Sequence, residues 1–482
     1  MKTALSGPVR VRFAPSPTGF LHVGGARTAI YNDLLRQSLG GSFVLRIEDT
    51  DKARSDEAMT HQIQSALAWI GIEWDEGPFL QSERLPRHTE RALELLEADK
   101  AYRCFCTTET LDAQRAEAQS QGLTFRYPRT CAHLSKTEIE ARLAAGTPFV
   151  VRLRMPDAPI EVRDMVRGDV EFPPDALDDF ILLRSDGSPT YHLSVVVDDI
   201  DMAITHVLRG DDHLSNTPKH VRLFEALGAP LPAFGHLPLI LGTDRKRLSK
   251  RIGSTSVEEF RNEGILSQAL YNFLALLGWA PGEDRELLRR REMIALFSVE
   301  GLNASAAVFD REKLLWMNSQ YLMSLPFAEL LPQLLPFLEE AGVPTSQPER
   351  LAAVVDLYRP RARTLRELAG CFGPYFAERL DYPLEDCRKF LADAELDARL
   401  TELGRRLAAL PSFETEAIDA TVRGLAEELG VKAAVLIHPT RMALTAATGG
   451  PGLFELVAVL GQEATARHLA SFQAFLAANR AA

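Results

Sequence analysis

Two short segments, far apart in the chain, hold residue types suited to handling a triphosphate. The first is Pro15-Ser16-Pro17-Thr18-Gly19-Phe20-Leu21-His22-Val23-Gly24-Gly25-Ala26-Arg27, and the second is Asp244-Arg245-Lys246-Arg247-Leu248-Ser249-Lys250-Arg251. In the first, the two prolines hold Ala14 and Ser16 out of the right-handed helical region, so the backbone leaves residues 9–13, a strand-like run, still extended. Gly24 and Gly25 then lead into a helical stretch from Ala26 to Asn32. A strand, a glycine turn and a helix start bring backbone N–H groups and a helix dipole to one place, which suits an anion. His22 adds a hydrogen-bond donor near a phosphorus under attack, and Gly24 lets a purine lie close to the backbone. A surface histidine before an ordinary helix cap is the plainer reading of the same residues.

The second segment puts five cations within seven residues, with the hydroxyl of Ser249 among them. It follows the apolar run His236-Leu237-Pro238-Leu239-Ile240-Leu241-Gly242, read as a strand. A basic loop there can clamp a triphosphate, with Lys250 neutralising the charge that builds as pyrophosphate leaves. A solvated charge run is the competing reading. Together the two segments suit a site that activates a carboxylic acid by adenylation.

These segments resemble the HIGH and KMSKS signatures of class I aminoacyl-tRNA synthetases, and the surrounding wording resembles the glutamyl-tRNA synthetase family. The resemblance extends through Arg46-Ile47-Glu48-Asp49-Thr50-Asp51, Tyr191-His192-Leu193, Val197-Asp198-Asp199 and Phe309-Asp310-Arg311-Glu312-Lys313-Leu314-Leu315-Trp316-Met317-Asn318. It continues to Arg441-Met442-Ala443-Leu444-Thr445 and Pro451-Gly452-Leu453-Phe454 near the far end. Gly25 replaces the second histidine of the general signature, as is usual in the glutamyl subgroup. Arg247 replaces the first lysine of the second signature, which keeps the charge but not the compact ammonium. The resemblance implies ATP contacts at Pro17, Thr18, Gly19, His22, Gly24, Gly25, Arg247, Leu248, Ser249 and Lys250, with His22 and Lys250 catalytic. It implies glutamate contacts at Arg12, Ala14, Ser16, Glu48, Tyr191 and Arg209.

The residue types agree with such a substrate. Glutamate carries two carboxylates and one ammonium, so a selective pocket needs two cations and an anion. Arg12 and Arg209 each end a strand-like run, where parallel sheets bind ligands. Glu48 suits the ammonium, and Tyr191 offers a hydroxyl and a wall. Which arginine takes which carboxylate stays open, and structural ion pairing is the alternative for both. A capped turn is the simpler account of Asp49 and Asp51.

The elements that must position these groups follow from the pattern of the chain. Its 482 residues exceed a single core, so two to four domains are expected. Strand-like and helix-like stretches alternate at the start, with a strand at residues 43–47 and an amphipathic helix at 61–71. From about residue 100 the texture shifts to clustered cysteines, polar helical stretches and short strands at 149–155 and 180–184. Beyond Gly253 helical periodicity dominates, at 266–277, 326–341, 348–359, 390–410 and 453–475. The expected fold is α/β: a Rossmann-type parallel-sheet catalytic domain split by an α+β insertion, then an all-α C-terminal region. The expected division is residues 1–100 and 191–252 for the catalytic halves and 101–190 for an acceptor-end insertion. Residues 253–325 would contact the RNA stem and 326–482 would read the anticodon.

Within the insertion, Cys104-Phe105-Cys106 and Cys131-Ala132-His133 are separated by a gap of 24 residues. Cys104, Cys106, Cys131 and His133 could hold a structural zinc ion tetrahedrally, although each pair is more tightly spaced than in most zinc sites. Buried cysteines are the alternative, and Tyr127 is a conceivable substitute ligand. Some members of the resembled family carry this arrangement and others lack it.

The net charge of −12 disfavours indiscriminate RNA binding, and local arginine clusters at 285–291 and 359–366 offset it. Trp316, Met317, Asn318 and Tyr321 read as core rather than as an aromatic contact surface. Arg359-Pro360-Arg361 is the better candidate for tRNA, and by resemblance an arginine matching Arg361 excludes glutamine-type anticodons. Five cysteines, an odd number, together with no signal peptide or apolar span, point to a reducing, cytoplasmic setting and no membrane partner.

The expectation is an ATP- and Mg²⁺-dependent monomer joining L-glutamate to tRNA(Glu), in which tRNA is needed before adenylate forms. Glutaminyl-tRNA synthetases share the front half but end in β-barrels. A catalytically silent tRNA-binding relative would have no use for His22, Lys250, Glu48 and both arginines.

Overall fold

A computed structural model describes residues 8–50, 56–248 and 255–480. Two compact units emerge, residues 1–260 with 270–310, and residues 261–269 with 311–482.

The first unit opens with β1 (Arg10–Phe13), α1 (Val23–Leu39), β2 (Ser42–Ile47), α2 (Glu57–Trp69), β3 (Glu76–Leu80) and α3 (Leu85–Glu97). The insertion follows as β4 (Ala101–Cys104), α4 (Thr108–Ser120), α5 (Lys136–Ala144), β5 (Val150–Leu153), β6 (Ile160–Asp164), β7 (Gly168–Phe172) and β8 (Ile181–Leu183). The nucleotide fold then resumes with α6 (Tyr191–Asp201), β9 (His206–Gly210), α7 (Thr217–Ala226), β10 (Ala233–Leu237) and β11 (Ile240–Leu241). The main sheet has the order β3-β2-β1-β9-β10-β6-β7, parallel except for the last pair. It is a Rossmann-type sheet split by an α+β insertion. β1 and β2 are buried along nearly their whole length; β2 reads as an apolar run broken by Arg46, whereas β1 alternates Arg10 and Arg12 with Val11 and Phe13.

The insertion has a sheet of its own, β4-β5-β8, antiparallel throughout. It also returns the β6–β7 hairpin to the edge of the main sheet. The sequence expectation did not single out that hairpin, although Ile160, Val162 and Asp164 alternate as buried positions with exposed neighbours. The apolar run before the basic loop was read as one strand and is two. Pro238 cannot donate to a ladder, so the chain leaves the main sheet there. β11 then pairs with β12 (Ala307–Val308).

After β11 come α8 (Val257–Glu263), α9 (Ser267–Leu276) and α10 (Arg290–Leu296). The second unit is helical, with α11 (Arg311–Ser324), α12 (Phe327–Glu340), α13 (Pro348–Tyr358), α14 (Leu365–Gly370), α15 (Gly373–Phe376), α16 (Leu384–Leu391), α17 (Leu396–Ala408), α18 (Thr415–Glu428), α19 (Ala434–Thr445), α20 (Leu453–Leu460) and α21 (Gln462–Arg480). Its core is an aliphatic seam in which Leu330, Leu334 and Leu338 of α12 meet Leu351, Val354 and Val355 of α13 in one cluster. Leucines four apart share one helix face, and burying each stabilises the fold by roughly 1.5–3 kcal/mol.

Two helices expected to be continuous are broken. Residues 390–410 divide between α16 and α17 because Asp393 turns its carboxylate to the Glu395 N–H at 3.0 Å, a local bond that competes with the helix. Residues 453–475 divide between α20 and α21 at Gly461, whose φ of 86° no right-handed helix can continue. Trp316 is also a correction. Met317 and Asn318 are fully buried, but Trp316 is 42% exposed, because the buried face is formed by Leu314 and the residues three and four after it, and position 316 is off that face.

Candidate active site

β1 and β9 lie side by side at the centre of the main sheet, and each carries one of the expected arginines. Both guanidiniums are buried, Arg12 at 4% exposure and Arg209 at 6%, yet their partners differ in kind. Arg12 Nε points at the Asp199 carboxylate, 3.3 and 3.5 Å from its oxygens. Asp199 lies on α6 and also accepts from Arg46 Nη1 at 2.7 Å. Arg46 is a fully buried cation inside β2, and its Nη2 reaches Glu48 Oε1 at 3.3 Å. Burial drives the Glu48 carboxyl above its ordinary pKa, against the pull of Arg46 and Arg12.

Arg209 has no such carboxylate. Its Nε donates to His236 Nε2 at 3.1 Å, Nη1 to His220 Nδ1 at 3.2 Å, and Nη2 to Thr217 Oγ1 at 2.8 Å. Tyr191 begins α6 and sits 2.9 Å from His213 Nδ1. Burial, followed by the nearby charge of Glu48, pushes its hydroxyl up to about 12, with Arg209 and Arg12 opposing. Five groups, from two strands, the residue that follows β2 and one helix, therefore share one electrostatic neighbourhood: Arg12, Arg209, Glu48, Tyr191 and Asp199. Ala14 and Ser16 lie on the exit from β1, where the Glu48 N–H donates to Pro15 O at 2.9 Å and ties that exit to the end of β2.

Of the two readings of His22, the structure shows the helix cap directly. It caps α1, its Nδ1 accepting from the Gly24 and Gly25 N–H groups at 3.1 and 3.2 Å. With Nδ1 an acceptor, the proton of the neutral ring sits on Nε2, on the side away from the helix. The ring is open to solvent, yet crowding by protein atoms, then the charge of Arg247, holds its pKa below the ordinary histidine value; Asp212 opposes. A Cβ on Gly24 would sit 2.9 Å from the His22 ring, so glycine there leaves room for the imidazole.

The basic loop is tied to the same place at both ends. Upstream, Leu248 N–H donates to Ile240 O at 3.1 Å, and the exposed Arg247 is close enough to act on His22. Downstream, Val23 N–H donates to Thr255 O and Val257 N–H to Leu21 O, each at 2.9 Å, so His22 is bridged to Ser256. Pro17 is buried while Thr18 is exposed, and Gly19, before α1, and Gly25, in its first turn, are half-buried. Ser249 and Lys250 lie outside the described residues, as does Asp51.

In the insertion, Cys104, Cys106 and Cys131 place their sulfurs within 4.8 Å of one another. His133, the fourth expected ligand, is exposed and lies outside this group; the fourth side is taken by the Tyr127 hydroxyl, 3.1 Å from Cys104 Sγ and 3.7 Å from Cys106 Sγ. Burial raises the Cys104 thiol pKa, but bonds from Tyr127 and Arg152 outweigh it and the net shift is downward. Cys106 is pushed up to about 11, chiefly by burial. Three converging thiols are soft donors of the type zinc takes, so the group fits, with the Tyr127 phenol beside them as a harder oxygen.

In the second unit, Arg359 pairs with Asp356 at 3.0 Å, three residues earlier on its own helix. Arg361 is exposed, and its charge helps lower the pKa of half-buried Arg441, after burial itself.

Sequence reasoning missed Arg46 and Asp199 as pocket residues, and with them the shell of His213, Thr217, His220, His236 and Asp164. Two signals were present. Arg46 interrupts an otherwise apolar strand, and five of the eleven histidines fall within residues 192–236.

Residues 8–316 match the family described as "tRNA synthetases class I (E and Q), catalytic domain", and residues 327–472 match "Anticodon binding domain". The chain is 46% identical to glutamate–tRNA ligase 2 of Koribacter versatilis over 97% of its own length and 98% of that protein's. It is 44% identical to glutamate–tRNA ligase 1 of Caldanaerobacter subterraneus over 95% of its length and 96% of that protein's. A crystal structure of a glutamate tRNA ligase from Elizabethkingia meningosepticum, in complex with its amino acid, superposes with a TM-score of 0.87 at 34% identity, covering 98% of this chain and all of the other. Matched end to end at such identity, and built on the same fold, the chain belongs to the glutamate–tRNA ligases of the class I aminoacyl-tRNA synthetases.

Proposed function

We infer that the chain joins L-glutamate to tRNA(Glu) in two ATP-driven steps, with the crevice at the ends of β1 and β9 as the seat of both. The observation that carries the site assignment is the bridging of His22 to Ser256. It brings the glycine turn and the far end of the basic loop to one wall.

In the first step a glutamate carboxylate oxygen attacks the α-phosphorus of ATP, supplied with Mg²⁺, and pyrophosphate leaves. The neutral His22 ring offers its Nε2–H to the phosphoryl oxygens, while Arg247 and Lys250 offset charge on the departing phosphates. Arg12 and Arg209 hold the substrate carboxylates, and Glu48, with the lone pairs of Tyr191, faces the ammonium. In the second step the 3′-terminal ribose hydroxyl attacks the acyl carbon and AMP leaves. Positioning and charge stabilisation suffice, and no protein nucleophile is needed. Cys104, Cys106 and Cys131, with Tyr127 in place of His133, would hold a zinc ion that braces the insertion and takes no part in the chemistry. The second unit reads the anticodon, with Arg359 and Arg361 as tRNA contacts. Among the described residues no helix is long and apolar enough to cross a membrane. All five cysteines are free, which suits a cytoplasmic enzyme acting on tRNA.

ATP–pyrophosphate exchange tests this reading. Exchange is expected with glutamate in the presence of tRNA(Glu), feebly without it, and not with glutamine. Equal exchange with glutamine would overturn it.

A further inference from the structure

We propose that His236, held by Asp164, is a positioning residue that aims the Arg209 guanidinium at the substrate carboxylate and thereby sets the preference for glutamate over glutamine. The proposal rests on the reading of Arg209 as a glutamate contact.

Among the described residues, every hydrogen-bond partner of Arg209 is neutral. Besides His236, His220 and Thr217, Nη2 also donates to the carbonyl of His213 at 3.4 Å. Four of the five guanidinium N–H groups are thus directed, and the fifth, on Nη1, remains for a ligand oxygen. Glu48 and Asp199 act on Arg209 without a hydrogen bond, so its guanidinium still lacks a bonded anion, whereas Arg12 already has Asp199. This distinction separates the two arginines in kind.

The neutral shell works only if each imidazole turns a lone pair toward Arg209, and Asp164 enforces this for His236. Asp164 Oδ1 accepts from the N–H groups of Val166, Arg167 and His236 at 2.9, 2.8 and 3.2 Å. Its Oδ2 lies 2.5 Å from His236 Nδ1. A carboxylate so engaged can only accept, so the ring proton sits on Nδ1 and Nε2 is left bare. Two donors converge on that lone pair, Arg209 Nε–H and the hydroxyl of Thr217 at 2.9 Å. The chain of bonds runs onward through His220, whose Nδ1 accepts from Arg209 and whose Nε2–H donates to His192 Nδ1 at 3.2 Å. His236 is fully buried and Asp164 is 6% exposed, so water cannot substitute for either. Asp164 lies on β6, the strand that the insertion returns to the sheet edge beside β10.

Asp164→Asn is the informative change. The amide oxygen would stay with the three backbone N–H groups, and its NH₂ would face His236 Nδ1. The imidazole proton would then move to Nε2, setting donor against donor at Arg209. The full-length enzyme, charged with ATP and tRNA(Glu), is expected to show a glutamate KM raised ten- to a hundredfold. Its ATP KM should change less than twofold, and the glutamate-to-glutamine ratio of kcat/KM should fall. His236→Leu should behave alike, while His236→Gln, able to present a carbonyl oxygen to Arg209 Nε, should recover to within a few-fold of the parent. If Asp164→Asn does not fold, the Leu and Gln pair carries the test alone. Unchanged glutamate KM in Asp164→Asn and His236→Leu would overturn the proposal, as would an equal rise in ATP KM. Arg209→Lys is assayed beside them. If that variant keeps the parent glutamate KM, it is the reading of Arg209 as a substrate contact that fails.

Discussion

His22 holds the fold through one edge of its ring, and the proposed chemistry uses the other. Its Nδ1 stands in for the serine or aspartate that usually caps a helix, and in the function proposed above its Nε2–H serves the phosphoryl group. Asparagine also caps helices well but is too short to deliver that donor. His22→Asn is therefore expected to leave the melting temperature within a degree or two while lowering kcat about 10²- to 10³-fold. A parallel loss of stability would mean that capping is its whole role. The other histidines of the crevice make a collective prediction. Burial lowers the pKa of His192 and His213 to about 4 and lowers those of His220 and His236 as well. A histidine with a depressed folded-state pKa binds its proton more readily when unfolded. Its contribution is complete above its ordinary value of about 6.5 and is lost as pH falls toward the folded value. Between pH 7 and 4.5 His192 and His213 can each cost up to about 2 kcal/mol, and His220 and His236 act in the same direction. Thermal melts of the intact chain across that range should show a fall of several degrees, and His213→Gln should flatten it.

Elements were legible where one periodicity dominates and obscure where a single residue interrupts it. β1, β2 and α1 follow from an apolar strand, a proline exit and a glycine turn, and the arginines at the strand ends follow with them. What the pattern concealed were partnerships across the sheet. Arg46 and Asp199 meet only because β2 and α6 pack together, and nothing local in either stretch announces that. The placing of His133 outside the cysteine group has a related reason. Spacing favoured the histidine two residues after Cys131, but the fold turns Tyr127 to the sulfurs. Cys106→Ser or treatment with a strong chelator is expected to lower the melting temperature without altering ATP or glutamate KM, and metal analysis should then show the zinc gone. Gly461 misled differently, since apolar residues on both sides continue one helical period through it. Its φ of 86° suits only glycine, so Gly461→Ala should destabilise the helical unit by about 1–3 kcal/mol. Denaturant titration would register this as a lower midpoint at constant slope.

Across the whole molecule, charge decides how RNA can be held. A net charge of −12 repels polyanions at large, and the two arginine clusters are largely neutralised by partners of their own. Arg285 pairs with Glu292 and Arg290 with Asp33, while Arg363 pairs with Glu312 and Arg366 with Glu340. Arg359 leans on Asp356. Among the described residues Arg289 and Arg291 of the first cluster and Arg361 of the second are exposed without an ion pair, and Arg361 lies beside the half-buried Arg441. A surface that is acidic or neutralised elsewhere makes the few uncommitted cations decisive, because nonspecific attraction cannot mask a mismatched anticodon. Arg361→Gln removes one such cation while keeping a side chain of similar reach and hydrogen-bonding capacity. It should raise the kcat/KM for tRNA(Gln) relative to tRNA(Glu) about tenfold, the scale of one lost charge-assisted hydrogen bond. The KM values for ATP and glutamate should not move, since the residues assigned to both substrates lie in the first unit. Charging of purified tRNA(Glu) and tRNA(Gln) by parent and variant measures both quantities, and equal charging of the two by the parent enzyme would remove Arg361 from discrimination altogether.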